Sequence, residues 1–214
     1  MAQLFFDIET VPDGDKPTED EVKIHGNIKQ PDAQQIAYDR AIETAYRKYS
    51  LIAYKGRILC IGGILELYEK DDVEFLVYGD SNEEVITNYY KILLSHLTPK
   101  DMHSLDYIGY NIIDFDMKWI FLQTLKYLPE YKTFVPNRGH RTIDLMKEFT
   151  YGSYKDMVKM KAACEFFGIK SKAKGIDGSM VYDMYLEGKS EEIYDYCLDD
   201  VKETRKLYYK MFPK

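Results

Sequence analysis

The chain has 214 residues, of which 36 are Asp or Glu and 29 are Lys or Arg, giving a net charge of −7. This length suits a single domain with a substantial core, and the acidic balance argues against non-specific coating of nucleic acid, which depends on many Lys and Arg side chains. No stretch approaches the ~18 apolar residues of a membrane span, and no signal-peptide pattern opens the sequence. We therefore expect a cytoplasmic protein with no membrane partner.

An apolar segment near the start of the chain, Phe5–Thr10, carries two acidic residues. In a β-strand, side chains alternate, so Asp7 and Glu9 would lie on one side and Phe6 and Ile8 on the other. Two neighbouring carboxylates repel each other unless a cation, a proton or strong hydrogen bonds offset the repulsion. The pair therefore indicates a metal site, and the alternative at this point is an edge strand with a solvated polar face.

The next segment, roughly 11–55, departs from the strand pattern, and we interpret it as an insertion. Pro and Gly residues interrupt its first part, and the spacing of apolar residues from Ile36 to Tyr49 predicts a helix over about 32–49. Because the insertion follows Glu9 and Thr10 directly, it is a candidate lid or wall for the acidic pair. A plain surface insertion is equally compatible with the pattern.

The remaining elements alternate between strands and helices. Apolar runs predict strands at 57–65, 73–78 and 106–109, and the first two should form a meander with the opening strand. The segment Thr142–Leu145 reads as either a short strand or a helix start. Helical spacing predicts helices over about 81–97, from near 115 to 128, from 153 or 154 through 167, from 179 to about 186, and from 190 to 211. This order indicates an α/β domain.

The helix predicted at 190–211 carries an independent signal. Its apolar stripe contains Ile193, Cys197, Val201, Leu207 and Tyr208. Three-and-four spacing places Tyr196 and Asp200 on that stripe, whereas Asp199 and Glu203 should face the other side. An inward carboxylate is costly when it is unpaired, so Asp200 is a candidate functional residue, and a buried ion pair with Lys or Arg is the alternative.

A further acid stands where the strand at 106–109 gives way to a helix, a position at which α/β proteins place their sites. Asp116 lies at or just inside this helix, directly after Phe115. Asp114 has a simpler structural explanation as the N-cap of the helix. Asp116 is therefore the better functional candidate of the two.

The three cysteines, Cys60, Cys164 and Cys197, are widely spaced and each stands among apolar residues. Their odd number and their spacing favour reduced thiols in the core over disulfides or a zinc cluster.

Three short motifs together resemble a known family. They are Phe6-Asp7-Ile8-Glu9-Thr10, the segment from Gly109-Tyr110-Asn111 through Phe115-Asp116, and Tyr196-Cys197-Leu198-Asp199-Asp200. In order and internal spacing they resemble the three exonuclease motifs of the DEDD superfamily, in its tyrosine-bearing (DEDDy) subgroup. The second motif is similar to that of the proofreading 3′–5′ exonuclease domain of family B DNA polymerases, and the whole order resembles stand-alone bacterial polymerase-B-like predicted exonucleases.

The resemblance implies a ribonuclease-H-like α/β fold, with a mixed central sheet flanked by helices, in a single exonuclease domain over 1–214. It implies a 3′–5′ exonuclease that hydrolyses terminal phosphodiester bonds with two divalent metal ions, Mg²⁺ or Mn²⁺. Asp7, Glu9, Asp116 and Asp200 would be the metal ligands, and Tyr196 would orient the attacking water. Because the unperturbed pKa of tyrosine is near 10, Tyr196 would be a poor general base at neutral pH.

The resemblance also implies substrate contacts. Thr10 would contact the terminal nucleotide through its backbone, and Asn111 would make a polar contact. Phe115 would pack beneath the site, with stacking on a base as the alternative.

The polymerase-like second motif favours single-stranded DNA as the substrate, and a polymerase or another repair protein is compatible as a partner. An exonuclease acting on RNA or short oligonucleotides is the first alternative, because contacts to the 2′-hydroxyl cannot be read from motif spacing. A non-catalytic nucleic-acid-binding or polymerase-accessory module is the second.

Overall fold

A five-stranded sheet organises the fold. The computed structural model describes residues 2–24, 26, 30–136, 141–153, 157–170 and 175–213. Its strands are β1 (Gln3–Pro12), β2 (Gly56–Glu66), β3 (Val73–Tyr78), β4 (Asp106–Gly109) and β5 (Thr142–Asp144). The spatial order is β3-β2-β1-β4-β5, with β1, β2 and β3 antiparallel in turn and β4 and β5 parallel to β1.

Helices cover both faces of this sheet. In chain order they are α1 (Pro31–Arg47), α2 (Asn82–His96), α3 (Pro99–Met102), α4 (Asp116–Tyr127), α5 (Leu145–Phe149), α6 (Met160–Phe166), α7 (Val181–Leu186) and α8 (Ser190–Met211). The predicted fold class, a ribonuclease-H-like mixed sheet flanked by helices, is confirmed. Within the described ranges, no helix is long and apolar enough to cross a bilayer.

The two faces of the sheet bury different cores because the side chains of β1 alternate. Leu4, Phe6 and Ile8 pack with α2 and α4 in the larger core. Phe5 packs with α6 and α8 on the opposite face, where Val11 joins a third cluster with α7. Odd-numbered β1 residues, including Asp7 and Glu9, therefore face α8.

The helix α8 lies close to the sheet because β2 presents a glycine beneath it. A Cβ atom added at Gly62 would lie 3.0 Å from the Cys197 Sγ and 3.4 Å from a Leu198 methyl carbon. A larger residue here would push α8 away from β1, so Gly62 helps to set the height of α8 above the acidic pair.

The insertion leaves the sheet slightly later than the sequence predicted, because β1 continues through Pro12, which pairs with Gly56. The helix α1 of the insertion contains no buried residue. The C-terminal end of α1 contacts α7. Arg47 donates two hydrogen bonds to Asp183, at 3.0 and 2.6 Å, and the Tyr46 ring lies edge-on to Tyr182.

One predicted helix was wrong in its extent. The helix expected from Ser153 or Tyr154 is only α6, which begins at Met160, and Tyr154 lies outside the described residues. Ser153 instead ends a turn that contains Gly152 at φ +75°. Residues 157–159, directly ahead of α6, are not helical, and the Tyr110 hydroxyl donates to the Val158 carbonyl there at 2.6 Å.

Other boundaries agree closely with the sequence. The final helix runs from Ser190 to Met211 as predicted. Both readings of Thr142–Leu145 hold, because a strand ends at Asp144 and a helix starts at Leu145. The helix predicted from 179 begins at Val181, after a turn that is capped by Asp177. All three cysteines are free and buried, which confirms the prediction of reduced core thiols.

Candidate functional site

The strand β1 places Asp7 and Glu9 side by side beneath α8. Asp7 pairs with Gly62 of β2 and Glu9 pairs with Cys60, and the register then shifts between Glu9 and Thr10. Such a shift, or β-bulge, bends a strand and is frequent next to active sites. Glu9 is buried, with 8% of its surface exposed, so the alternative of a solvated edge strand is wrong.

The helix α8 brings Asp200 to this pair from the far end of the chain. Carboxylate oxygens of Asp7, Glu9 and Asp200 all lie within 4.8 Å of one another. One turn before Asp200, the thiol of Cys197 donates to the Asp7 carbonyl at 3.5 Å and ties α8 to β1. Asp199 is not part of this group, as the stripe predicted.

Asp116 approaches the pair from the other side, as the first residue of α4. Its carboxylate accepts a hydrogen bond from the Ile8 backbone N–H at 3.1 Å, and only 2% of the residue is exposed. A helix N-terminus favours a negative charge. Asp116 does not belong to the group of three within 4.8 Å, yet it is near enough to raise the pKa of Asp7 and Glu9.

Burial raises the pKa of all four carboxyl groups, and the charges of the other acids in the group raise the pKa of Asp7 and Glu9 further. Burial is the largest cause for Asp7, and the charges of Asp116, Glu9 and Asp200 add to it. Burial likewise raises the pKa of Glu9, followed by the influence of Cys60, Asp200 and Asp116. It raises the pKa of Asp116 to about 7 against hydrogen bonds from two backbone N–H groups. The folded protein therefore disfavours the charged form of each of these acids.

Asp200 and Tyr196 interact directly. Burial raises the pKa of Asp200 to about 7, and a hydrogen bond with Tyr196 partly opposes that shift. The pKa of Tyr196 is also raised, first by burial and then by the charges of Asp200, Glu9 and Asp7. Tyr196 is therefore a neutral hydroxyl that faces the carboxylate group.

The donor set fits hard divalent cations. In the described parts of the chain, no ion pair involves Asp7, Glu9, Asp116 or Asp200, so the alternative of a buried ion pair for Asp200 is not what the structure shows. Carboxylate oxygens are the ligands that Mg²⁺ prefers. A bound cation would remove the repulsion that raises these pKa values.

Two of the three predicted substrate-contacting residues adjoin site acids in the chain, since Thr10 follows Glu9 and Phe115 precedes Asp116. The Thr10 hydroxyl is already engaged, since it donates to the Ser50 carbonyl at 2.5 Å. Asn111 has φ +62°, in the left-handed region. Phe115 precedes Asp116 and packs edge-on to Trp119, with ring centroids 6.2 Å apart. Contacts of Thr10, Asn111 and Phe115 with a substrate stay predictions.

Sequence reasoning placed Glu203 on the wrong side of α8. Glu203 is buried, with 2% exposure. It follows Tyr196 by seven residues, which is about two helical turns, so the two share a face. The buried arc of α8 is wider than the predicted stripe because β1, β2, α6 and α7 all pack against this helix.

Sequence reasoning also missed Asp144. This carboxylate is 2% exposed and accepts hydrogen bonds from four backbone N–H groups, two of them in the turn that leads to Asp116. Its position directly before Leu145, where a helix begins, is a recognisable N-cap signal.

Comparison with known proteins gives one family and one group of structures. A family model described as a predicted 3′–5′ exonuclease related to the exonuclease domain of PolB matches residues 57–213. That range contains Asp116, Tyr196 and Asp200, and it begins after Asp7 and Glu9. No curated protein shows significant similarity to the chain.

Solved structures similar to this chain include exonuclease I proteins. E. coli exonuclease I in complex with a 5cy-dA13 oligonucleotide has 14% identity and a TM-score of 0.46, covering 100% of this chain and 41% of that one. A product-bound exonuclease I has 11% identity and a TM-score of 0.46, covering 93% and 45%. The chain thus spans less than half the length of these proteins.

Proposed function

Because the chain belongs to the family of predicted 3′–5′ exonucleases related to the exonuclease domain of PolB, we propose that it is a metal-dependent 3′–5′ exonuclease that hydrolyses the terminal phosphodiester bond of single-stranded DNA. The observation that carries the proposal is the convergence of Asp7, Glu9 and Asp200 within 4.8 Å. Asp116 adds a fourth carboxylate beside them. These carboxylates form no ion pair with Lys or Arg in the described residues, and their pKa values are raised. Such a group is suited to binding divalent cations.

Four carboxylates would hold the metal. When bound, two Mg²⁺ or Mn²⁺ ions supply an activated water and stabilise the charge that develops on the phosphate and the leaving oxygen. Asp7, Glu9, Asp116 and Asp200 would hold these ions through their carboxylate oxygens. Asp7 is the acid on which the charges of the other three all act.

Tyr196 would orient the attacking water through its hydroxyl. Burial and the carboxylate of Asp200 keep the pKa of Tyr196 above its ordinary value, so the hydroxyl stays protonated at neutral pH. It can therefore donate a hydrogen bond to an oxygen in the site but cannot serve as a general base.

Residues next to the acids in the chain are candidates for positioning the substrate. The turn from Asn111 to Phe115 leads into Asp116, and Thr10 is fixed by Ser50 at the end of the insertion. We propose that the Thr10 backbone and the Asn111 side chain contact the 3′-terminal nucleotide, with Phe115 packing beneath it.

The deciding experiment is a nuclease assay with matched substrates. Single strands of DNA and of RNA, labelled at the 5′ end, are incubated with the protein and Mn²⁺, and the products are separated by length. We expect DNA strands that shorten from the 3′ end one nucleotide at a time. Faster shortening of RNA would reassign the substrate, and no cleavage of either strand would favour a non-catalytic binding module.

The matched variants are Asp200→Asn and its neighbour Asp199→Asn. Both remove one carboxylate from the same helix, but only Asp200 belongs to the group within 4.8 Å. We expect Asp200→Asn to lose cleavage and Asp199→Asn to retain it within about two-fold, since substitutions outside the site have small effects. Equal effects of the two substitutions would contradict the assignment of Asp200.

A further inference from the structure

Asp144, at the end of β5, stands at the centre of the contacts that shape the turn before Asp116. It pairs with Gly109 in the parallel ladder of β4 and β5, so its side chain lies level with the start of that turn. Its Oδ1 accepts from the N–H of Asn111 at 2.9 Å, and its Oδ2 accepts from the N–H of Ile113 at 3.1 Å. One buried carboxylate therefore holds both ends of a three-residue segment.

The same carboxylate also caps the next helix. Oδ1 accepts from the N–H groups of Met146 and Lys147, at 3.1 and 3.4 Å, in the first turn of α5. Asp144 thus makes two sets of contacts, one local to α5 and one that reaches more than thirty residues back along the chain. The local set is the ordinary contribution of an N-cap, whereas the distant set needs a separate explanation.

The turn held by Asp144 is one that the chain would not adopt easily by itself. Asn111 has φ +62°, which costs free energy in a residue other than glycine. The turn also folds tightly onto the strand, since a Cβ atom added at Gly109 would lie 2.0 Å from a methyl carbon of Ile112. Buried backbone N–H groups need acceptors, and Asp144 supplies them for this conformation.

The turn connects directly to the candidate site. The carbonyl of Asn111 accepts from the N–H of Phe115, and that of Ile112 accepts from the N–H of Met117. These bonds start α4, whose first residue, Asp116, accepts from the Ile8 N–H of β1. Asp144 therefore bonds to the backbone of one substrate-contact candidate, Asn111. Through the hydrogen bonds of this short turn it also influences the position of one metal-ligand candidate, Asp116.

We infer that Asp144 is a positioning residue of the active site, which sets the Asn111 backbone and the placement of Asp116 in addition to capping α5. The expected effect on cleavage rests on the proposed function, whereas the expected effect on Mn²⁺ binding depends on the acidic site alone. Residues that orient metal ligands typically change metal affinity or activity by 10- to 100-fold when they are replaced.

Two substitutions separate the positioning role from the capping role. Asp144→Ser keeps an oxygen that caps α5, because Ser is as good an N-cap as Asp, but its shorter side chain with a single oxygen cannot also serve Asn111 and Ile113. Asp144→Asn keeps the shape and places an NH₂ group against one of the N–H donors. The matched control is Asp114→Asn, in the same turn, which loses only partly exposed ion pairs to Lys147 and Lys118.

The measurements are Mn²⁺ binding without nucleic acid, from the electron paramagnetic resonance signal of free Mn²⁺, and steady-state cleavage at saturating Mn²⁺. We expect both Asp144 variants to bind Mn²⁺ about 10-fold more weakly and to show a reduced kcat, with Asp114→Asn within about two-fold of wild type. Circular dichroism confirms that the proteins compared are folded.

Wild-type Mn²⁺ affinity and kcat in folded Asp144→Ser would overturn the inference, because Asp144 would then only cap α5. Loss of the folded state in both Asp144 variants would overturn it as well, since the residue would be a requirement of the fold. If wild-type protein cleaves nothing while Asp144→Ser still weakens Mn²⁺ binding, the proposed function fails and the positioning role stands.

Discussion

The two faces of the sheet differ sharply although they share the same strands. On the α2 and α4 face, β1 contributes Leu4, Phe6 and Ile8 to a continuous apolar core. On the α8 face, the intervening positions Asp7 and Glu9 meet a third carboxylate within 4.8 Å. On one face β1 thus contributes only apolar residues to a core, whereas on the other Asp7 and Glu9 form an acidic site between the buried Phe5 and Val11. The two contributions can be tested separately.

The largest expected effect is the loss of activity on the acidic face. Asp7→Asn removes the carboxylate that is influenced by all three others, and we expect cleavage to fall by about 1,000-fold or more, corresponding to roughly 4 kcal/mol of transition-state stabilisation. The thermal midpoint without metal should rise or stay unchanged, because a repulsive charge is removed. Cleavage rates and calorimetry measure the two quantities, and a lower midpoint with intact activity would contradict the division between the faces.

The next effect concerns the apolar face of the same strand. Leu4 is fully buried, and we expect Leu4→Ala to lower the free energy of unfolding by about 2–5 kcal/mol, from lost burial and a residual cavity. Cleavage per folded molecule should stay within a few-fold of wild type. Urea unfolding together with the cleavage assay measures this, and a 100-fold loss of activity in the folded fraction would show that the two faces are coupled.

The third effect is a dependence of stability on pH. Burial raises the pKa of Asp116 to about 7 from an ordinary value of 3.8, so between these values the folded protein holds more protons than the unfolded chain. Without metal, the free energy of unfolding should therefore fall as the pH rises from about 4 to about 7. Unfolding in urea with EDTA across this range measures the slope.

Variants on the two faces of the sheet identify the source of the pH dependence. Asp116→Asn should flatten the slope, whereas Leu4→Ala should lower stability by the same amount at every pH. Added Mn²⁺ should stabilise the protein more at pH 8 than at pH 5, because the cation competes with protons for the carboxylates. An identical slope in Asp116→Asn and wild type would exclude Asp116 as a source of the dependence.

Local patterns were sufficient to predict much of the fold and the candidate acids. Alternation in Phe5–Thr10 and helical spacing around Asp200 each depend on neighbours within a few residues, and the structure confirms which side chains face the same way. The β1–β2–β3 meander and the bounds of α8 followed for the same reason.

Features that depend on distant contacts were not accessible from patterns. Just ahead of α6, the Val158 carbonyl accepts a hydrogen bond from Tyr110, which lies 48 residues away in the chain. The anchoring of the insertion depends on Arg47 and Asp183, which are 136 residues apart. Glu203 was misassigned because the width of a buried helical arc depends on how many elements pack against it, and Asp144 could be recognised as a cap but not as a partner of Asn111.

The contact between Cys197 and Asp7 joins positions 190 residues apart in the chain, and this has a consequence for the timing of assembly during synthesis. A ribosome builds the chain from the N-terminus at roughly 5–20 residues per second, so Asp7 emerges many seconds before Asp200. The nascent polypeptide has no complete set of acids until α8 has been made and has docked. The acidic site therefore assembles only at the end of synthesis, so a polypeptide that stops before α8 lacks Asp200 and cannot form it.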